Sequence, residues 1–206
     1  MEVCEQNEAF AEEDGDLVFH HTKIILRQHD NQYFYALSKQ RYSSATEIDP
    51  ASLELIPIPV SQIFPPFPET YTRAPQPLPQ NCYVKRPSLL HYGDTDASTK
   101  LSSLILNEAR ACEILRVHPH PNIARYLGCT VDGGITGLCF VKYGMTLLER
   151  ASTGSRALDV DLCLRGIKSG IQHLHQLGLI HCDINPANTL MSVDDDIPII
   201  IDFDSC

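Results

Sequence analysis

Ten of the chain's fourteen prolines fall between Pro50 and Pro87. Each lacks a backbone N–H and fixes φ at about −65°, so no central strand or helix can run through this stretch. It is expected to lie extended over a surface, with the regions on either side following their own patterns. Ahead of it, residues 1–16 hold Glu2, Glu5, Glu8, Glu12, Glu13, Asp14 and Asp16 and no Lys or Arg. That composition predicts a disordered acidic tail and is the opposite of a secretory leader. Two strand-like runs in 22–38 flank His29-Asp30-Asn31, which is turn chemistry and predicts a hairpin. Residues 17–79 therefore read as an N-terminal hairpin followed by the proline-rich extended segment.

Residues 80–206 alternate short apolar runs with helix-forming stretches. CYV in NCYVKRP (81–87) predicts a short strand, and 102–117 a helix that Pro119 stops. Residues 123–131 and 135–143 flank Asp132-Gly133-Gly134 as strand, turn and strand. In 160–178, Cys163, Ile167, Ile171 and Leu174 fall on one helical face, and Gly178 marks the stop. A loop and the buried-strand run IPIIIDF (197–203) complete the series.

Composition limits the partners. A net charge of −10 leaves no basic footprint for nucleic acid, and no apolar run approaches the ~20 residues a membrane helix needs. No nucleic-acid or membrane partner is expected. The eight cysteines are scattered singly, without the close pairs of a zinc site. They read as small buried apolar groups in a reducing compartment, cytoplasmic or nuclear.

The chemistry is concentrated late in the chain. His181-Cys182-Asp183 is followed by Asn188, and Asp202-Phe203 ends an apolar strand fourteen residues later. Phosphoryl transfer needs a carboxylate beside the attacking hydroxyl and oxygen ligands that hold magnesium on the phosphates. An H-x-D-x-x-x-x-N frame followed by strand-borne Asp-Phe supplies those groups in order. Either motif alone would pass as ordinary loop and strand-end carboxylates.

With these residues set out, about residues 80–206 resemble the eukaryotic protein-kinase superfamily. IQHLHQLGLIHCDINPAN is similar to that family's helix and catalytic loop, HPHPNIARYLG to the link from its regulatory helix, and LCFVKYGMTL to its hinge strand. The resemblance implies an α+β, protein-kinase-like two-lobe fold, with a small strand-rich lobe and an incomplete helical large lobe. It implies Asp183 as catalytic base and Asn188 and Asp202 as magnesium ligands, with ATP as cofactor and a protein Ser/Thr hydroxyl as acceptor. Lys85 would meet the phosphates, held by a helix glutamate. Glu108 and Glu113 are the candidates, and Glu108 is favoured because it shares a face with Ala111, Cys112 and Leu115.

The sequence also departs from that family. No glycine lies between Gly15 and Gly93, so the Gly-rich phosphate loop is missing ahead of Lys85. Tyr83 stands where the family has alanine and is expected to intrude on the adenine pocket. Cys182 replaces the arginine of H-R-D, Asn185 a lysine, and Asp204 the glycine of D-F-G. The chain also stops soon after Asp202, which reads as a truncation of the helical lobe. A weak or inactive phosphotransferase is therefore expected. The alternatives are a non-catalytic pseudokinase acting by binding, and a small-molecule kinase of the aminoglycoside or choline kinase type, whose D-F-D resembles IDFDS.

Overall fold

The computed structural model describes residues 1–29, 32–94, 101–153, 157–192 and 195–206. The fold is mixed α+β and divides into two compact units, each discontinuous in sequence. One comprises Met1–Phe64 and Pro87–Ser102, the other Pro65–Arg86 and Ser103–Cys206. This differs from the expected division into 1–16, 17–79 and 80–206.

The first unit is built on four antiparallel strands in sequential order: β1 (Glu2–Glu13), β2 (Asp16–Arg27), β3 (Tyr33–Ser38) and β4 (Ile56–Ile58). Residues 1–16, expected as a disordered tail, instead form β1 and its turn, paired with β2 along its length. The physical reason is twofold. Asp14-Gly15 adopts positive φ at both residues, the conformation of a tight hairpin turn. The acidic side chains then find partners: Glu8 accepts from Arg41 Nε and Nη2 at 2.8 and 2.6 Å, and Glu2 from Arg27 at 2.6 Å. Glu5 accepts from Ser88 Oγ at 2.6 Å and the Leu89 N–H at 2.9 Å.

Strands β2 and β3 pair from Thr22↔Ser38 to Arg27↔Tyr33. Asp30 and Asn31, within the expected turn between them, lie outside the described residues. Alternation along β2 fills both faces of the sheet. Ile25 joins Ile58, Ile63, Leu89 and Tyr92, while Ile24 and Leu26 join Ala36 and Ile48. The proline-rich stretch is less uniform than an extended chain: β4 is an edge strand containing Pro57, and α1 (Val60–Ile63) is a single turn.

The second unit has a three-stranded antiparallel sheet in the order β5–β7–β6, from β5 (Cys82–Lys85), β6 (Tyr126–Val131) and β7 (Ile135–Val141). Pro65–Ala74 belongs here because its backbone docks on this sheet. Cys129 N–H donates to Thr72 O at 2.7 Å, Ala74 N–H to Cys129 O at 2.8 Å, and Ile135 N–H to Pro65 O at 2.8 Å. A Cβ at Gly128, where φ is +131°, would lie 2.5 Å from Arg73 C, so glycine allows this approach.

Helix α2 (Leu101–Val117) buries Ala109, Cys112 and Leu115 in a core shared with Leu138, Leu174 and Phe203. Two further helices follow, α3 (Leu147–Thr153) and α4 (Val160–Gln176), and then the pair β8 (Thr189–Met191) and β9 (Pro198–Ile200). The Asp159 carboxylate caps α4 by accepting from Leu162 N–H at 2.9 Å, and Gly178 takes φ +77° beyond its end. Helix α3 and strand β8 were not expected, being too short to carry a periodic signal. Among the described residues no helix is long and apolar enough to cross a membrane.

Helix α4 sits close to β9 because two glycines a turn apart face it. A Cβ on Gly166 would lie 2.6 Å from Pro198 Cγ, and one on Gly170 would lie 2.8 Å from Ile200 Cδ1. Gly166→Ala should gain about 1 kcal/mol in helix propensity. Overpacking against a proline ring, which cannot rotate away, should cost about 2 kcal/mol. The expected net effect is a destabilisation of about 1 kcal/mol by urea unfolding. A stabilised variant would show that α4 does not pack this closely.

Candidate functional site

Strand β5 carries Lys85 at its end, and alternation puts Tyr83 on the same face. Lys85 Nζ donates to both oxygens of Glu108, at 2.8 Å each, and also to Asp202 Oδ1. Glu108 is the buried carboxylate of α2, 4% exposed, and it also accepts from the Phe203 N–H at 3.3 Å. Three separate segments thus meet at one ammonium. Glu113, the other glutamate weighed, is engaged elsewhere. It accepts from Thr72 N–H and Oγ1 at 2.7 and 2.9 Å.

The electrostatics follow from burial and pairing. Burial opposes the charge on Lys85, but Glu108 and then Asp202 outweigh it and hold the ammonium above its ordinary value. Burial pushes the Glu108 carboxyl above the usual carboxylate range, and Lys85 offsets this only in part.

Asp183 and Asn188 lie together in the loop after α4. Asn188 Nδ2 donates to Asp183 Oδ2 at 2.7 Å and to Asp183 O at 3.1 Å, and Asn185 Nδ2 donates to Asp183 Oδ1 at 3.0 Å. Asn185 Oδ1 accepts from the amides of Ala187 and Asn188, at 2.8 and 3.0 Å, which fixes the turn. Two backbone-directed bonds tie this loop to the segment after β9 that bears Asp202. His181 Nε2 donates to Ile201 O at 2.7 Å, and Ile201 N–H donates to Asn188 O at 3.1 Å. The His181 ring packs edge-on to Phe203, with centroids 5.8 Å apart. Cys182 and Asp202 both adopt positive φ, at 62° and 70°, a strained conformation for non-glycine residues.

Lys85, Glu108 and Asp202 line one part of a cavity of about 400 Å³. The rest is largely apolar, with Tyr83 and Phe140 from the sheet, Ala124, Leu190 from β8, and the segment Val141–Gly144. A mainly apolar pocket with a few converging charges is the usual form of a small-molecule site. Of this lining, Ala124 and Leu190 were not anticipated. Leu190 follows Asn188 in a run too short to read as a strand.

The oxygen donors suit a hard cation. Asn188 spends its amide nitrogen on Asp183, which leaves its oxygen for a ligand, and Asp202 uses Oδ1 on Lys85. Among the described residues no cluster of three His, Cys, Asp or Glu side chains forms a metal cage. Amide and carboxylate oxygens are the donor type that magnesium takes, alongside waters and substrate oxygens.

Over part of its length the chain is similar in sequence to protein kinases. It is 30% identical over 103 residues to mitogen-activated protein kinase kinase kinase A of Dictyostelium discoideum, covering 48% of this chain and 11% of that protein. It is 31% identical over 85 residues to the serine/threonine-protein kinase mos of Xenopus laevis, covering 37% of this chain and 24% of that protein. Cyclin-dependent kinase 11.1 of Caenorhabditis elegans is 31% identical over 87 residues, 38% of this chain and 12% of that protein. Part of this chain is kinase-like. It spans a quarter or less of the length of each of these relatives. No protein-family model matches the chain.

The Lys85 cluster makes a pH-resolved prediction. A carboxyl raised on folding contributes stability below its ordinary range, and that contribution is lost as pH rises through the folded value. Lys85→Met should raise Glu108 further, so its deficit should grow with pH. We expect a loss of about 2 kcal/mol at about pH 7.5, below the usual figure for a buried pair because Lys85 is partly exposed, and a smaller loss at about pH 4.5. Urea unfolding at the two pH values measures this, and an equal or larger loss at acid pH would refute the coupling.

Proposed function

We propose that the cavity is a MgATP site and that the second unit is a protein-kinase-like phosphotransferase domain, weak or inactive in this chain. The observation that carries the reading is Lys85, bridged to Glu108 and Asp202 at the wall of a largely apolar cavity. Strands β5–β7 with α2 would serve as the small lobe, and α3, α4 and β8–β9 as part of the helical lobe.

The side chains divide the work. Lys85 draws the phosphates by charge, and Glu108 keeps it from rotating away. Asp183 accepts the proton of a protein Ser or Thr hydroxyl, oriented by Asn185 and Asn188. Asn188 and Asp202 would hold magnesium, which supplies charge neutralisation on the phosphate oxygens when bound. His181 and Phe203 act at one remove, keeping the loop and Asp202 in register. In this reading Lys85 must exchange part of its pairing with Asp202 for phosphate.

A non-catalytic binding module is the second reading, favoured by the lack of any glycine between Gly15 and Gly93. Without a flexible loop over the phosphates, the triphosphate is poorly positioned, and catalysis in this chemistry is mostly positioning. Cys182 and Asp204 act in the same direction, because neither supplies what arginine and glycine give the kinase family.

Calorimetry should show weak MgATP binding that Lys85→Ala abolishes. Tight metal-independent binding, or an unchanged response in that variant, would count against the site. With radiolabelled ATP and a generic protein substrate, the chain should transfer little or no phosphate, and Asp183→Asn should look the same. Robust Asp183-dependent transfer would overturn the weak-catalyst reading in favour of an ordinary kinase.

A further inference from the structure

Tyr83 has no role in the function proposed above. It is 57% exposed and lies on β5 opposite Phe140, which is 7% exposed. A single exposed aromatic is ordinary on a protein surface. Its place is what matters here: Tyr83 lines the same cavity as Lys85, two positions along the strand on the same face.

The ring is not consumed by packing. Among the described residues it makes no aromatic pair, although Phe140 beside it meets the Tyr126 ring at a tilt, with centroids 5.7 Å apart. Within its own unit β5 is an edge strand of the sheet, and among the described residues no strand pairs along its outer side. A side chain that filled the pocket would be buried in it. This one stands at the wall with more than half its surface free.

We propose that Tyr83 is a base-stacking platform: its ring covers one face of the nucleotide's base, while Lys85 takes the phosphates. Two residues along a strand span about 7 Å, which separates a stacked ring from a phosphate-binding cation by roughly the reach of a nucleotide. Leu190, from β8, supplies an apolar wall from a different element. Base–aromatic stacking needs no hydrogen-bond reading, since every base offers a π-face. The expectation that Tyr83 intrudes on the pocket is thereby reversed, from an obstacle to a contact.

This inference rests on the nucleotide-site reading, and the experiment separates the two. Calorimetry would compare MgATP with magnesium tripolyphosphate, which has the phosphates and no base, on the 206-residue chain and on Tyr83→Ala and Tyr83→Phe. Tyr83→Ala should weaken MgATP about tenfold and leave tripolyphosphate unchanged, whereas Tyr83→Phe should keep MgATP within about threefold. Because the ring is largely exposed, both variants should melt with the parent. Unchanged or tighter MgATP binding by Tyr83→Ala would overturn the platform while leaving the phosphate site standing. Failure of the parent chain to bind either ligand would overturn the nucleotide reading itself.

Discussion

One ammonium holds the second unit's chemistry together. Lys85 comes from the sheet, Glu108 from α2 and Asp202 from the segment after β9, and their charges bind the three to one another. Taking a carboxylate as buried as Glu108 out of water costs several kcal/mol, which its partners must offset. The arrangement is consequently poor as a device for stability. Its worth is that it fixes the position of a helix, a strand and a loop relative to one another by electrostatics. The Phe203 amide adds a second restraint on Glu108, so that shifting the 201–203 segment disturbs both carboxylates at once.

The loop that bears Asp183 is attached more softly. Asp183 is held by two asparagines within its own turn, and the loop reaches the Asp202 segment through His181 and the backbone of Asn188. Those bonds run to main-chain atoms, leaving the Asp183 and Asp202 carboxylates without a direct bond to each other. Positive φ at Cys182 and Asp202 marks the two points where the backbone turns sharply to allow this. Strain of this kind persists where surrounding contacts over-determine the geometry, and it concentrates at sites that do chemistry.

What could be read from the chain beforehand divides along physical lines. Helices α2 and α4 were legible because a long periodic pattern with clear stops outweighs local ambiguity. β5, β6, β7 and β9 were legible as apolar runs next to turn residues. Glu108 could be preferred over Glu113 by helical spacing, though spacing could not show that Glu113 would bind Thr72. The acidic first residues misled, because composition argued for disorder while Asp14-Gly15 carried a hairpin signal and Arg27 and Arg41 stood ready as counter-charges. The docking of Thr72 and Ala74 on β6 was illegible for another reason. It uses main-chain hydrogen bonds, which leave no mark on side-chain pattern.

That docked segment has a consequence for how the protein can be made and cut. Pro65–Arg86 belongs with residues that begin at Ser103, while Pro87–Ser102 returns to the unit that begins at Met1. On a ribosome, the first unit cannot close until the second has already begun to emerge, so the two must fold interleaved rather than in turn. No single cut in the chain yields either unit whole. Isolating the cavity-bearing unit would mean joining Arg86 to Ser103, a splice rather than a truncation.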